Sequence, residues 1–167
     1  MSRAFVKDGA ENDGFDSLPD GPISAARNLV TAHGLRLIEA HVATYRAEVA
    51  KATAAADRGA IARASREMRY WSARLASAEL AEPDPTIEQI VFGVAVTLRL
   101  ADGRTLAYRI VGEDEAEPDQ GRIAWTTPVA QALLGAEIGE ERRLPAGVAE
   151  ILAIDPRPVA GDSAPAA

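Results

Sequence analysis

The sequence predicts an α+β protein: an N-terminal antiparallel helical hairpin, a two-helix coiled coil, joined to a small antiparallel sheet with one short helix. Three observations carry that prediction. Leu35, Ile38, Val42, Tyr45, Val49, Ala52 and Ala56 are separated by 3, 4, 3, 4, 3 and 4 residues, the a/d seam of a coiled coil. A second seam, Ile61, Ala64, Met68, Trp71, Leu75 and Ala78, follows at once with spacings of 3, 4, 3, 4 and 3. Beyond residue 86 the period falls to two, with Val94, Val96, Leu98 and Leu100 alternating with Ala95, Thr97 and Arg99, as in a half-buried strand.

Each element has its own local cause. Residues 1–30 are rich in Asp, Gly and Pro and poor in large apolar side chains, so a flexible leader is expected. Thr31 is a plausible N-cap for a helix over 31–57, which would reach about 40 Å. Asp57-Arg58-Gly59 interrupts it, Gly59 being the residue that tolerates a left-handed backbone at a helix–helix turn. Seams of similar length across so short a turn pair antiparallel. Their many alanines allow close approach but bury modest area, so the arm is expected to be marginal alone. The second helix should end near Leu80, because Glu82-Pro83-Asp84-Pro85 cannot continue it. The arm is therefore placed at 31–82. A domain at 86–155 follows, with a hairpin turn at Ala101-Asp102-Gly103, a returning strand through Leu106, Tyr108 and Ile110, and an acidic loop from Gly112 to Gly121. A short strand over 122–126, a helix capped by Thr127 and started by Pro128, and strands over 140–144 and 147–154 complete it. The Pro-, Ala- and Gly-rich tail 156–167 is expected to be disordered.

Composition removes several function classes. With no cysteine, disulfides and thiol chemistry are excluded, and with only His33 and His41 a histidine-rich metal site is not expected. Neither histidine has partners at ligand spacing. No apolar run approaches a membrane span, and the N-terminus lacks the stretch of a secretory signal, so a cytoplasmic protein is expected. A net charge of −7 argues against binding duplex DNA unaided and favours a protein partner.

The second half carries a resemblance. Val91-Phe92-Gly93, then Tyr108-Arg109-Ile110-Val111-Gly112-Glu113-Asp114-Glu115-Ala116, then Thr127-Pro128-Val129-Ala130-Gln131-Ala132-Leu133-Leu134-Gly135, with Gly139 beyond, resembles the C-terminal domain of GreA and GreB in order and spacing. The resemblance implies an FKBP-like fold for 86–155 preceded by a helical hairpin. It also implies RNA polymerase as partner, the domain sitting at the rim of the secondary channel and the coiled coil entering it. In that family two acids at the tip help hold a catalytic magnesium ion, in a motif resembling G-D-x-x-E-N-A-E/D-Y. Here the turn reads Ala56-Asp57-Arg58-Gly59-Ala60-Ile61-Ala62-Arg63. Asp57 is the candidate first acid; no Glu lies three residues on, and the tip looks shortened.

The expected role is therefore a monomeric, non-enzymatic regulator of transcription elongation without strong transcript-cleavage stimulation, needing no cofactor or metal of its own. Between residues 51 and 74, Lys51, Arg58, Arg63, Arg66, Arg69 and Arg74 outweigh Asp57 and Glu67. Such a tip would attract RNA, so Arg58, Arg63 and Arg66 are candidates for contact with the channel or with nascent RNA; the plainer reading is a solvated helix face. Thr127, Pro128 and Asp114 are the candidate partner-binding residues, against the plain alternatives of a helix cap and a soluble acidic loop. Trp125 suits an anchor or, more simply, the core. Trp71 and Met68 belong to the seam. Two further functions are weighed: an FKBP-type peptidyl-prolyl isomerase, which needs an aromatic-lined pocket that Phe92, Tyr108 and Trp125 barely supply, and a plain coiled-coil interaction protein, which two mutually satisfied seams disfavour.

Overall fold

The computed structural model describes residues 21–158. Two helices, α1 (Ala32–Ala54) and α2 (Arg58–Ala76), form the expected antiparallel arm. Thr31 caps α1, its Oγ1 accepting from the Gly34 amide at 3.1 Å. Ile38, Val42, Ala52 and Ala64 are buried between the helices, and Tyr45, Met68, Trp71 and Leu75 lie half-buried beside them. The His41 ring stacks on Trp71 with centroids 4.0 Å apart, so an aromatic pair supplements the alanine-thinned seam. Each buried large aliphatic contributes about 1.5–3 kcal/mol. The arm has two such residues buried, Ile38 and Val42, against ten in the domain core, so the domain is the more stable unit.

The α2 helix stops at Ala76, short of the predicted end near Leu80. The reason is a competing partner for the backbone. Glu79–Leu80 forms a strand, β2, parallel to β1 (Leu29–Val30). The Glu79 amide donates to the Asn28 carbonyl at 2.8 Å and the Ala81 amide to Val30 at 3.0 Å. The last residues of the expected leader are thus built into the base of the arm, with Asn28 and Val30 buried. The rest of the leader, 1–20, and the tail from 159 lie outside the described residues.

The domain is a five-stranded sheet in the order β5 (Arg122–Ala124), β4 (Thr105–Val111), β3 (Ala95–Leu100), β7 (Gly147–Asp155), β6 (Glu141–Leu144). Alternation places Val96, Leu98, Leu100, Ile110, Ala149 and Ile151 inward, where α3 (Pro128–Leu133) covers them with Ala130 and Leu133. A bulge opposite Thr97 and Leu98 bends β7 against β3. Three of the four strand pairings are antiparallel as predicted. The β4–β5 pairing is parallel, which corrects the all-antiparallel expectation and makes the sheet mixed. The physical cause is the connection. Residues 112–121 leave the end of β4, form two 3₁₀ turns at Glu113–Glu115 and Pro118–Gln120, and double back to Ala107–Arg109 in the middle of β4 before β5 begins. Gly121, at φ 74°, makes the final turn. Among the described residues no helix is long and apolar enough to cross a membrane.

Candidate functional site

Three places matter: the tip of the arm, the joint at its base, and the start of α3. At the tip the left-handed residue is Ala56, at φ 52°, and not Gly59, which lies in the first turn of α2. The Ala56 amide donates to Thr53 at 3.0 Å and the Asp57 amide to Ala52 at 3.1 Å. That is a Schellman closure with alanine in the position glycine usually fills. Asp57 then caps α2, its Oδ1 accepting from the Ala60 amide at 2.9 Å. The candidate tip acid therefore has a structural task. Arg58 and Arg63 are exposed on the same end of the arm and Arg66 is half-buried. Among the described residues these three arginines make no ion pair, and no group of three His, Asp or Glu side chains could hold a metal ion.

The joint was not foreseen from the sequence. It is built on the acidic run Glu113-Asp114-Glu115 between β4 and β5. Glu115 is buried and accepts from the Gly112 amide at 2.8 Å, the Thr31 amide at 3.0 Å and the Thr31 hydroxyl at 2.6 Å. A domain carboxylate, fixed by the Gly112 amide of its own loop, thus holds the start of the arm through two donors of Thr31. The approach is close enough to require glycine on both sides. A Cβ on Gly34 would lie 2.6 Å from the Glu115 carboxylate carbon, and one on Gly112 would lie 2.5 Å from the Leu29 carbonyl oxygen. The end of the arm is held by Asp114, whose Oδ2 accepts from Arg74 Nε at 2.6 Å. The Tyr70 hydroxyl donates to the other oxygen at 3.3 Å. Arg74, counted above among the basic residues of the arm, is only 2% exposed. Losing one partner of such a buried pair costs about 3–5 kcal/mol, because the other charge is left stranded. Burial first, then the Asp114 carboxylate, pushes the Tyr70 phenol above its usual value, against the opposing pull of Arg74.

At the third place, Thr127 and Pro128 start α3 as predicted. The Thr127 hydroxyl accepts from the Ala130 amide at 3.3 Å and donates to the Ala124 carbonyl at 2.8 Å, while Pro128 is exposed. Trp125 packs against the core and its indole N–H is buried without a partner. Asp114 does not share this surface: its carboxylate is turned into the joint, with 9% of the side chain exposed. The link between the two places is Glu113, whose Oε1 accepts from Thr126 at 3.2 Å and from Ser24 at 3.0 Å. The sequence did hold a faint signal for the joint. Tyr70 and Arg74 are four residues apart on one helix face, at the edge of the seam, and the acidic triplet is the densest in the chain.

Beside the joint lies a mainly apolar cleft of about 250 Å³, between Thr31–His33, the Ala81–Pro85 connection and Pro156–Pro158. Arg109 and Arg122 reach its wall, and no Phe, Tyr or Trp lines it.

Residues 84–156 match the family model described as "Transcription elongation factor, GreA/GreB, C-term". Among curated proteins, the transcription elongation factor GreA of Syntrophotalea carbinolica is 42% identical over 73 residues, covering 42% of this chain and 46% of that protein. GreB of Neisseria meningitidis serogroup A is 37% identical over 78 residues, covering 46% and 48%. The matched region spans about half the length of these relatives. Among solved structures, the GreA factor homolog 1 protein of Thermus thermophilus aligns at 22% identity over 77% of this chain and 99% of that one, with a TM-score of 0.37. Residues 84–156, under half of the chain, are thus a GreA/GreB-type C-terminal domain.

Proposed function

We propose that the chain regulates transcription elongation by binding RNA polymerase through residues 84–156, with the arm entering the secondary channel, and that it stimulates transcript cleavage weakly. The GreA/GreB-type domain over residues 84–156 supports the partner and the channel. The weak cleavage follows from the tip, and one observation carries it: the Asp57 carboxylate is occupied as the N-cap of α2. The magnesium ion that family chemistry implies does not fit this donor set. Helping to hold a divalent ion takes more than one free carboxylate. Here one oxygen of a lone Asp accepts from a backbone amide, and Arg58 and Arg63 add positive charge nearby, which opposes a cation. The same charge favours RNA phosphates, so the tip acts by occupancy and charge, and contact with nascent RNA belongs to this reading. The protein acts as a monomeric regulator and not as an enzyme. An isomerase reading is not favoured, since the cleft beside the joint has no aromatic wall.

The test is a stalled elongation complex with labelled transcript, magnesium and excess protein. Binding to polymerase with few or no short 3′ fragments is expected. Rapid fragment release, lost on Asp57→Ala, would overturn the reading of the tip, and absence of any affinity for polymerase would overturn the function.

A further inference from the structure

We propose that Arg74 is a positioning residue that sets the direction of the arm, and that Glu113 ties this setting to the start of α3. Three observations carry it. Arg74 is the most deeply buried charged side chain among the described residues, at 2% exposure, and it sits where α2 meets the domain. Its guanidinium faces two carboxylates of one loop: Nε meets Asp114 at 2.6 Å, and Nη2 stands 3.6 Å from Glu113 Oε2. The second distance is beyond a hydrogen bond, and both of those atoms are buried without a hydrogen-bond partner. Finally, the other oxygen of Glu113 accepts from Thr126, next to the cap and proline that open α3. A polar chain thus runs from the end of the arm through Arg74 and Glu113 to the turn before α3. Its middle link is made at one end and only approached at the other.

Geometry gives this weight. From Arg74 to the start of α2 is about 24 Å of helix, so a tilt of roughly 10° at the base moves the tip by about 4 Å. Anything that acts at the tip depends on far finer placement than that. Burying an uncompensated guanidinium is costly, so the arm is confined to directions in which Arg74 keeps Asp114. Glu113 selects among them, and a partner seated on Thr126–Pro128 acts on that choice. Only the link to channel entry rests on the polymerase reading above. The geometric statement concerns the free protein.

The chain has no cysteine, so spin labels can be placed at will. Ala54→Cys near the tip and Ala146→Cys in the β6–β7 turn are both exposed positions. Electron–electron dipolar spectroscopy then reads the distribution of arm directions in the full chain. The parent pair should give one narrow distribution. Glu113→Gln, at a side chain 25% exposed, should leave circular dichroism and the melting midpoint close to the parent while broadening or shifting the distribution. Thr126→Val should do the same more weakly. Arg74→Met should broaden it most, and Arg74→Lys, which can keep one carboxylate but not the fork, should fall between. A folded Glu113→Gln protein with the parental distribution would overturn the proposal, whatever Arg74→Met does. A changed distribution alongside absent polymerase affinity would uphold the positioning role and reject only the function proposed above.

Discussion

Gly34 shows at a single residue how tertiary contact reverses a local rule. Within a helix, Gly→Ala ordinarily gains up to about 1 kcal/mol from propensity. Here the added methyl would stand 2.6 Å from the carboxylate that holds the start of the arm. Overpacking of that kind costs about 1–3 kcal/mol, so Gly34→Ala should lose stability on balance, in urea unfolding. Ala56 is the converse case. Its φ of 52° costs an L-residue roughly 1–2 kcal/mol, and the extra freedom of glycine in the unfolded chain returns about 0.4–1 kcal/mol of that. Ala56→Gly should therefore stabilise by about 0.5 kcal/mol or slightly more, seen as a higher urea midpoint with unchanged slope. Neither residue was singled out for this in the sequence. A left-handed alanine looks like any other alanine, and Gly59 three residues on offered the more obvious turn.

Among the elements, what was legible was what repeats locally. The two seams place Ile38, Val42, Trp71 and Leu75 against one another because side chains three and four apart share a helix face. The alternation of β3 and the Thr127–Pro128 start of α3 were legible for the same reason. The parallel β5, the β1–β2 pair and the joint were not, because each depends on a partner far along the chain: Arg109 for Arg122, Leu29 for Glu79, Arg74 for Asp114. Arg74 in particular read as one more solvated cation on a basic helix. Of the candidate site, the capped start of α3 was therefore visible, whereas the inward turn of Asp114 was not. A prediction belongs to α3. Pro128 is exposed, and its ring lies where a missing N–H is harmless, so Pro128→Glu adds charge without removing a hydrogen bond. The variant should keep its circular dichroism spectrum and lose at least tenfold in affinity for core RNA polymerase. Unchanged affinity would move the interface off this face.

At the scale of the whole molecule, arm and domain are two unequal bodies held by one polar joint, and that joint responds to pH. The Tyr70 phenol is held above its usual value of about 10, chiefly by burial and then by Asp114. A group whose folded value is raised gives stability that is complete below its unfolded value and fades as pH climbs through the folded one. At neutral pH the phenol is protonated and donates to Asp114. Above about 10 the unfolded tyrosine gives up its proton first, and once the folded one follows, a phenolate faces Asp114 and Glu113. Alkaline solution should therefore weaken the joint ahead of the sheet core, whose fully buried side chains include no titrating group. The chain carries its own reporters, because Trp71 lies in the arm and Trp125 against the core. With each tryptophan left alone in turn by changing the other to Phe, the two fluorescence melts should coincide at neutral pH, as a coupled unit requires. As pH rises past the ordinary tyrosine range, the Trp71 melt should fall to lower temperature ahead of the Trp125 melt. Tyr70→Phe cannot ionise, so it should remove the extra alkaline separation. If the two melts separate equally in Tyr70→Phe, some other group is the one that senses pH. If they stay together at every pH, the joint is not the weak point of the fold.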